Sequence, residues 1–273
     1  YGVTHPTKPG LKIPQMFEAA INKELKGVWI IGEDIVQTDP NSAHVIEAMN
    51  SLELLVVQEI FMSETAKLAT VVLPGTTFLE KDGTFTNTER RVQRVNRAVP
   101  PLPGTKPDGV IVTEMMQKLG FDQPTYDANQ VLAEIADIVP FFKGITRERL
   151  GKLGLQWPVK EDGTDTQILH TEEFKLGRGR LKNFDWKEST EIETNKKEYP
   201  LILTTSRVLQ HYNAATMTRR TSNINIVDED VLLVHPKDAA DRDLNTGDIG
   251  RLYSGRGEVA LKVEVTDKVK EGI

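Results

Sequence analysis

The sequence predicts an α/β protein in which a parallel sheet, covered on both faces by helices, is followed by a small β-barrel. Three observations carry that expectation. The runs "GVWIIGED", "LELLVVQEI" and "TVVLP" are almost continuously apolar and alternate with helical patterns, as strands buried on both faces do. From Tyr199 onward the pattern changes to short strands joined by tight turns, which fits a small barrel. The 273 residues are enough for two domains with cores of their own. The expected organisation is an α/β domain over 1–157, a connecting segment over 158–198 and the barrel domain over 199–273.

In chain order, "PQMFEAAINKEL" places Met16, Phe17, Ala20, Ile21 and Leu25 at helical spacing, with Pro14 suited to a first turn. The first strand ends in Gly32, Glu33 and Asp34. A short helix over 41–50 leads to the second strand, and "SETAKLA" leads to the third. In "FLEKDGTFTNTERRVQRVNRAV", Asp82-Gly83 is a turn signal between two extended segments. Arg90, Arg91, Arg94 and Arg97 follow at mixed spacing. Either they form a solvated hairpin arm laced with salt bridges, or some of them join Lys81 in facing phosphates. Helical patterns cover 109–119 and 129–138. Residues 158–197 are charged and irregular, without repeat or low-complexity tract. "YPLILTT" reads as a buried strand, "VLLVHP" as another and "KDAADRDL" as a helix. "NTGDIGRLYSGRGEVALKVEVTD" reads as two antiparallel strands joined at 254–257.

Composition removes several functional classes. A net charge of −6 argues against a general nucleic-acid binder. With 38% hydrophobic and 27% charged residues, the chain is neither disordered nor membrane-like, and no apolar run approaches the ~20 residues of a spanning helix. The absence of cysteine excludes disulfides, thiolate ligands and a cysteine nucleophile within this stretch. The five histidines are far apart and lack metal-ligand spacing, so neither a metal site nor a catalytic residue is assigned. The chain begins at Tyr1 and stops just after a strand pattern, so both ends look cut.

Two regions are candidates for binding. The three apolar strands end in Gly-Glu-Asp, Gln-Glu and Pro-Gly-Thr-Thr, and open α/β sheets bind ligands beyond the carboxyl ends of their strands. Carboxylates there can accept hydrogen bonds from ribose hydroxyls or a guanine edge. The alternative is that Glu33 and Asp34 cap the next helix and Glu59 is a solvated strand end. The second region, "TTSRVLQHYNAATMTRR", crowds hydroxyls, a guanidinium, an imidazole, a phenol and amides together before paired arginines. Such density suits a large polar ligand; the alternative is a polar barrel loop with Tyr212 and Met217 packed inside.

Taken with "IIGEDIVQTDP", "VVQEIFMSETAKLATVVLPGTTFLEKDGTFTNTERRVQ" and "DAADRDLNTGDIGRLYSGRGEVALKVEVTD", that loop resembles the C-terminal part of the molybdopterin-dependent oxidoreductases, most closely the formate dehydrogenase alpha subunit. The resemblance implies a Rossmann-like domain followed by a double-psi-like barrel. It also implies two molybdopterin guanine dinucleotides around one molybdenum or tungsten. Asp34 matches a dinucleotide contact, Gln58 and Glu59 a pair reading the nucleoside, Lys81 a cofactor-contacting lysine and Asp108 a further nucleotide contact. Thr205, Ser206, Arg207, Val208, Leu209, Gln210, His211, Tyr212, Asn213 and Ala214 match the barrel loop that wraps a pterin and its phosphates. Within that loop, an imidazole and a phenol can bond to or stack on the pterin.

The family's 4Fe–4S cysteines, its metal-ligating cysteine or selenocysteine and its active-site arginine domain lie outside this stretch. The resemblance therefore implies the last third or more of a larger subunit, inactive as a fragment. Its partners would be the remainder of its own subunit and electron-transfer subunits, with no nucleic acid and no membrane insertion, in the cytoplasm. The intact enzyme would oxidise formate to carbon dioxide. A nitrate-reducing relative and a non-catalytic nucleotide-binding module are the rival readings.

Overall fold

The computed structural model describes residues 4–189, 195–255 and 257–273. The chain divides into two compact units, Tyr1–Gly179 and Arg180–Ile273.

The first unit is built on a parallel sheet of three strands in the order β1 (Gly27–Ile31), β2 (Leu54–Glu59) and β3 (Val71–Pro74). Ile31 pairs with Gln58 and Glu59 with Pro74, so the three carboxyl ends finish side by side. Four helices accompany these strands: α1 (Ile13–Ile21), α2 (Ile35–Thr38), α3 (Ser42–Asn50) and α4 (Glu64–Lys67). Phe17 and Ala20 of α1, Val45 and Met49 of α3, and Ile30, Leu55 and Val57 of the strands form one core. Helix starts follow the local chemistry. The Asn41 side chain accepts from His44 N at 3.4 Å to open α3, and Ser63 Oγ accepts from Ala66 N at 3.2 Å to open α4. The parallel sheet read from the apolar runs is present.

A second, antiparallel sheet in this unit joins β4 (Gly83–Thr86), β5 (Arg91–Val95) and β6 (Leu155–Gln156). α5 (Asp108–Lys118) lies between β5 and β6 in sequence. With α6 (Ala128–Ile138) and α7 (Arg147–Leu150) the sheet surrounds a core of Val92, Leu132, Ile145, Leu150 and Val159. The hairpin turn differs from expectation. Gly83 opens β4, opposite Val95, and the chain reverses at Asn87–Arg90 instead. Asn87 Oδ1 accepts from the amides of Glu89 (3.1 Å) and Arg91 (2.9 Å), and Arg90 takes φ 67°. An asparagine that bonds its own downstream amides outcompetes Asp-Gly for the turn. Residues beyond 157 stay with this unit as far as its second core: Val159 is buried, and Thr166 Oγ1 donates to Pro158 O at 2.7 Å.

The second unit carries β7 (Val231–Val234), α8 (Pro236–Ala240), β8 (Ile249–Ser254) and β9 (Gly257–Val265), with sheet order β7-β9-β8. β8 and β9 are antiparallel and meet at Ser254 opposite Gly257, where the turn was expected, while β7 runs parallel to β9. Val234, Ala239 and Val263 form the core. Among the described residues these strands form a three-stranded sheet, and no closed barrel is seen. The run Leu201–Leu203 is exposed and lies in no strand, contrary to expectation; Ile202 N donates to Gly272 O at 2.9 Å. Apolar composition does not by itself recruit a neighbouring ladder, and a strand exists only where a partner presents one.

Candidate functional site

The carboxyl ends of β1, β2 and β3 gather polar groups that the protein leaves partly unsatisfied. Asp34, just past β1, is 6% exposed and stands at the N-cap position of α2 without capping it. Its Oδ1 accepts instead from Thr65 N (2.9 Å) and Thr65 Oγ1 (2.6 Å), tying the loop after β1 to α4. Its Oδ2 is buried and has no partner. Gln58, near the end of β2 and 1% exposed, donates from Nε2 to Asp108 Oδ1 at 2.8 Å, while its Oε1 is buried without a partner. Thr76, just past β3 and 2% exposed, has an unpartnered Oγ1. Each such buried atom costs about 1–3 kcal/mol unless a ligand or water completes it. Two of the three can only accept, so N–H and O–H groups are the partners they require.

A cation stands beside these acceptors. Asp108, the first residue of α5, bridges Gln58 and Lys81, with Lys81 Nζ donating to Oδ2. Burial works to raise the Asp108 carboxyl, but the Lys81 ammonium and the Gln58 amide outweigh it and hold the group below its ordinary value. Lys81 and Asp108 also line a cleft of about 230 Å³ with Phe85, Val95, Tyr126 and the apolar face of α6. Glu59 is half-buried, and its Oε1 accepts from Ile60 N at 2.7 Å. Glu33 is exposed. Asp34, Gln58, Lys81 and Asp108 thus gather around the strand ends, with Glu59 turned back on its own backbone.

The arginine series divides. Arg90 is structural: its guanidinium donates to Trp157 O and, at 3.0 Å each, to Thr166 O and Gln167 O. Arg91 pairs with Glu89 at 3.0 Å. Arg94 and Arg97 are exposed. The salt-bridged hairpin describes the first two better than phosphate contact does.

In the second unit, the loop 205–214 braces itself. Arg207 Nη1 donates to Asn213 Oδ1 at 3.1 Å, and Asn223 Nδ2 donates to Gln210 O at 2.6 Å. Both ring nitrogens of His211 are engaged, Nδ1 with Thr218 Oγ1 (2.9 Å) and Nε2 with Val227 O (2.7 Å). The carbonyl can only accept, so Nε2 donates to it. His211 therefore holds the loop and has no ring nitrogen left for a ligand. Asn213 and Ala215 take positive φ, 49° and 61°. Tyr212 is 75% and Leu209 100% exposed, and Met217 is half-exposed, so Tyr212 and Met217 do not pack inside. Thr205, Ser206, Val208 and Ala214 are likewise exposed.

Reading the sequence missed Thr65 and Tyr126. Thr65 could have been found as the third residue of a Ser-Glu-Thr helix start; nothing local marks Tyr126.

An acceptor-rich, partly unsatisfied cluster thus lies beyond the carboxyl ends of a parallel sheet, where open α/β proteins bind their ligands. Comparison with known proteins narrows this. Residues 3–118 match the family model described as molybdopterin oxidoreductase, and residues 201–273 match the one described as molybdopterin dinucleotide binding domain. The chain belongs to the molybdopterin oxidoreductase family. It is 41% identical over 268 residues to the F420-dependent formate dehydrogenase subunit alpha of Methanocaldococcus jannaschii, covering 97% of this chain and 40% of that protein. It is also 41% identical over 270 residues to the F420-dependent formate dehydrogenase 2 subunit alpha of Methanococcus maripaludis, with the same coverage. The chain thus spans about 40% of the length of these relatives. The solved structure of acetylene hydratase from Pelobacter acetylenicus superposes with a TM-score of 0.71 at 21% identity, over 95% of this chain and 38% of that one, which shows a shared fold.

Proposed function

We propose that this chain is the C-terminal, cofactor-binding part of a molybdenum- or tungsten-dependent formate dehydrogenase alpha subunit, holding part of each of two molybdopterin guanine dinucleotides. The observation that carries the reading is the set of buried, unpartnered atoms Asp34 Oδ2, Gln58 Oε1 and Thr76 Oγ1 at three adjacent strand ends. Two acceptors and a hydroxyl fit the N–H and O–H groups of guanosine, and the neighbouring Lys81 fits a phosphate, so the residues present suit the group. When bound, the cofactor supplies the two-electron oxidation of formate to carbon dioxide. The protein's own part is to bind and orient. Asp34 and Gln58 accept from the nucleoside, Asp108 holds Gln58 and Lys81 in place, and the exposed amides and hydroxyls of 205–214 wrap a pterin and its phosphates. In this reading the three-stranded sheet of the second unit belongs to the small β-barrel expected over 199–273. The relatives' names, formate dehydrogenase subunit alpha, support formate as substrate and further subunits as partners. In this reading those subunits carry the electrons, the iron–sulfur cluster lies in another part of the subunit and the protein works in the cytoplasm.

The test is acid hydrolysis of the complete native protein, with released GMP and bound molybdenum or tungsten assayed together. Roughly two GMP per metal is the expected result. Neither GMP nor metal in a properly expressed protein would overturn the proposal. Residues 1–273 alone should not oxidise formate, and turnover by a pure, cofactor-free preparation would contradict that.

A further inference from the structure

Tyr126 sits between α5 and α6, in no regular element, yet it meets the strand-end site at close range. Its ring lies against Gly109, the residue after Asp108. A β-carbon placed on Gly109 would stand 2.1 Å from Cε2 and 2.3 Å from Cζ of the ring. Only glycine allows an aromatic ring to seat there. From the other side, a β-carbon on Gly75 would come within 3.3 Å of Asp108 Oδ1. The first turn of α5 is therefore held between the backbone after β3 and the ring of Tyr126. That placement sets the Asp108 carboxylate at its bridge to Gln58 and Lys81. Tyr126 also lines the cleft that Lys81 and Asp108 open into. Burial, and then the neighbouring carboxylates of Asp108 and Asp127, push its phenol up from the ordinary value. The ring stays neutral and does not compete with Asp108 for Lys81.

We propose that Tyr126 is a positioning residue of the strand-end site: seated on Gly109, its ring fixes the first turn of α5, keeps the Asp108 carboxylate bridged between Gln58 and Lys81, and so retains one guanine dinucleotide. The inference rests on the cofactor reading above, and it concerns the ring rather than the hydroxyl.

The test uses the complete native protein and measures GMP released per chain after gel filtration, together with the thermal midpoint. Tyr126→Phe keeps the ring and should release as much GMP as the wild type. Tyr126→Ala should release about half, because one of the two equivalents is lost. Asp108→Asn should show the same twofold loss, and the double variant should lose no more than either single one, since one equivalent is held at this site. A merely structural role would lower the midpoint and leave the released GMP unchanged. The inference is overturned if Tyr126→Ala retains wild-type GMP, if Tyr126→Phe loses as much as Tyr126→Ala, or if the double variant loses clearly more than each single one. Should Tyr126→Ala not fold, Tyr126→Leu fills the volume without a flat ring and answers the same question. A wild-type protein without GMP would overturn the cofactor reading and this inference with it, whereas the outcomes above overturn the inference alone.

Discussion

Replacing Asp108 separates two contributions that the bridge combines. In Asp108→Ala, the Gln58 amide, 1% exposed, loses the one acceptor that the structure shows for it, and its Oε1 is already without a partner. Stranding a buried amide costs about 1–3 kcal/mol. The ion pair to Lys81, whose side chains are 24% and 40% exposed, adds about 0–1 kcal/mol. The total is about 1–4 kcal/mol. Asp108→Asn keeps an oxygen for Gln58 and loses only the charge, so its cost is about 1 kcal/mol or less. Native-state hydrogen exchange at the Leu55 and Val57 amides of β2 reads this in the first unit alone. Asp108→Ala should speed exchange by about 5- to 900-fold and Asp108→Asn by no more than about fivefold. Because the folded carboxyl lies below its ordinary value, the ion pair stabilises fully above about pH 4 and its contribution fades as pH falls through the depressed value. The gap between wild type and Asp108→Asn should close in that acid range. Equal effects of the two substitutions, or a gap that widens with acid, would refute the bridge as the source of the stability.

Two further outcomes follow from single side chains. Arg90→Lys leaves at least one of the carbonyls of Trp157, Thr166 and Gln167 without its present donor, because one ammonium nitrogen cannot stand where both Nη1 and Nη2 of the guanidinium fork stand. Limited proteolysis within 158–175 should accelerate about tenfold over wild type, while unchanged cleavage would mean that the segment is held by Val159 and its neighbours instead. His211→Ala removes both the ring partner of Thr218 Oγ1 and the donor to Val227 O. Amides across 210–220 should lose exchange protection while those of β9 keep theirs, and simultaneous loss in β9 would show that His211 supports the whole unit rather than its loop.

The local features were legible in the chain because each is decided by neighbours in sequence. Apolar runs of five or six residues between helical patterns are enough to indicate a parallel sheet, although Ile31, Leu54 and Val71 are exposed where cover on both faces was expected, and the polar residues ending the runs collect at one edge. That reasoning reached Asp34 and Gln58 without coordinates. It failed where several local signals competed, as at Asp82-Gly83 against Asn87, and where an apolar stretch needed a partner, as at Leu201–Leu203.

The sequence by itself determined the order of helices and strands through β3, the edge on which the polar strand ends collect, and, through four quoted stretches, the family. Only the tertiary structure decided which of those polar groups meet. Gln58 reaches Asp108 across 50 residues, Lys81 reaches it across 27, and Asp34 finds Thr65 across 31. Tyr126 seats on a glycine in another element. The physical reason is that secondary structure follows from short-range sterics and hydrogen bonding. The convergence of side chains follows instead from how whole elements pack, and no local spacing encodes that.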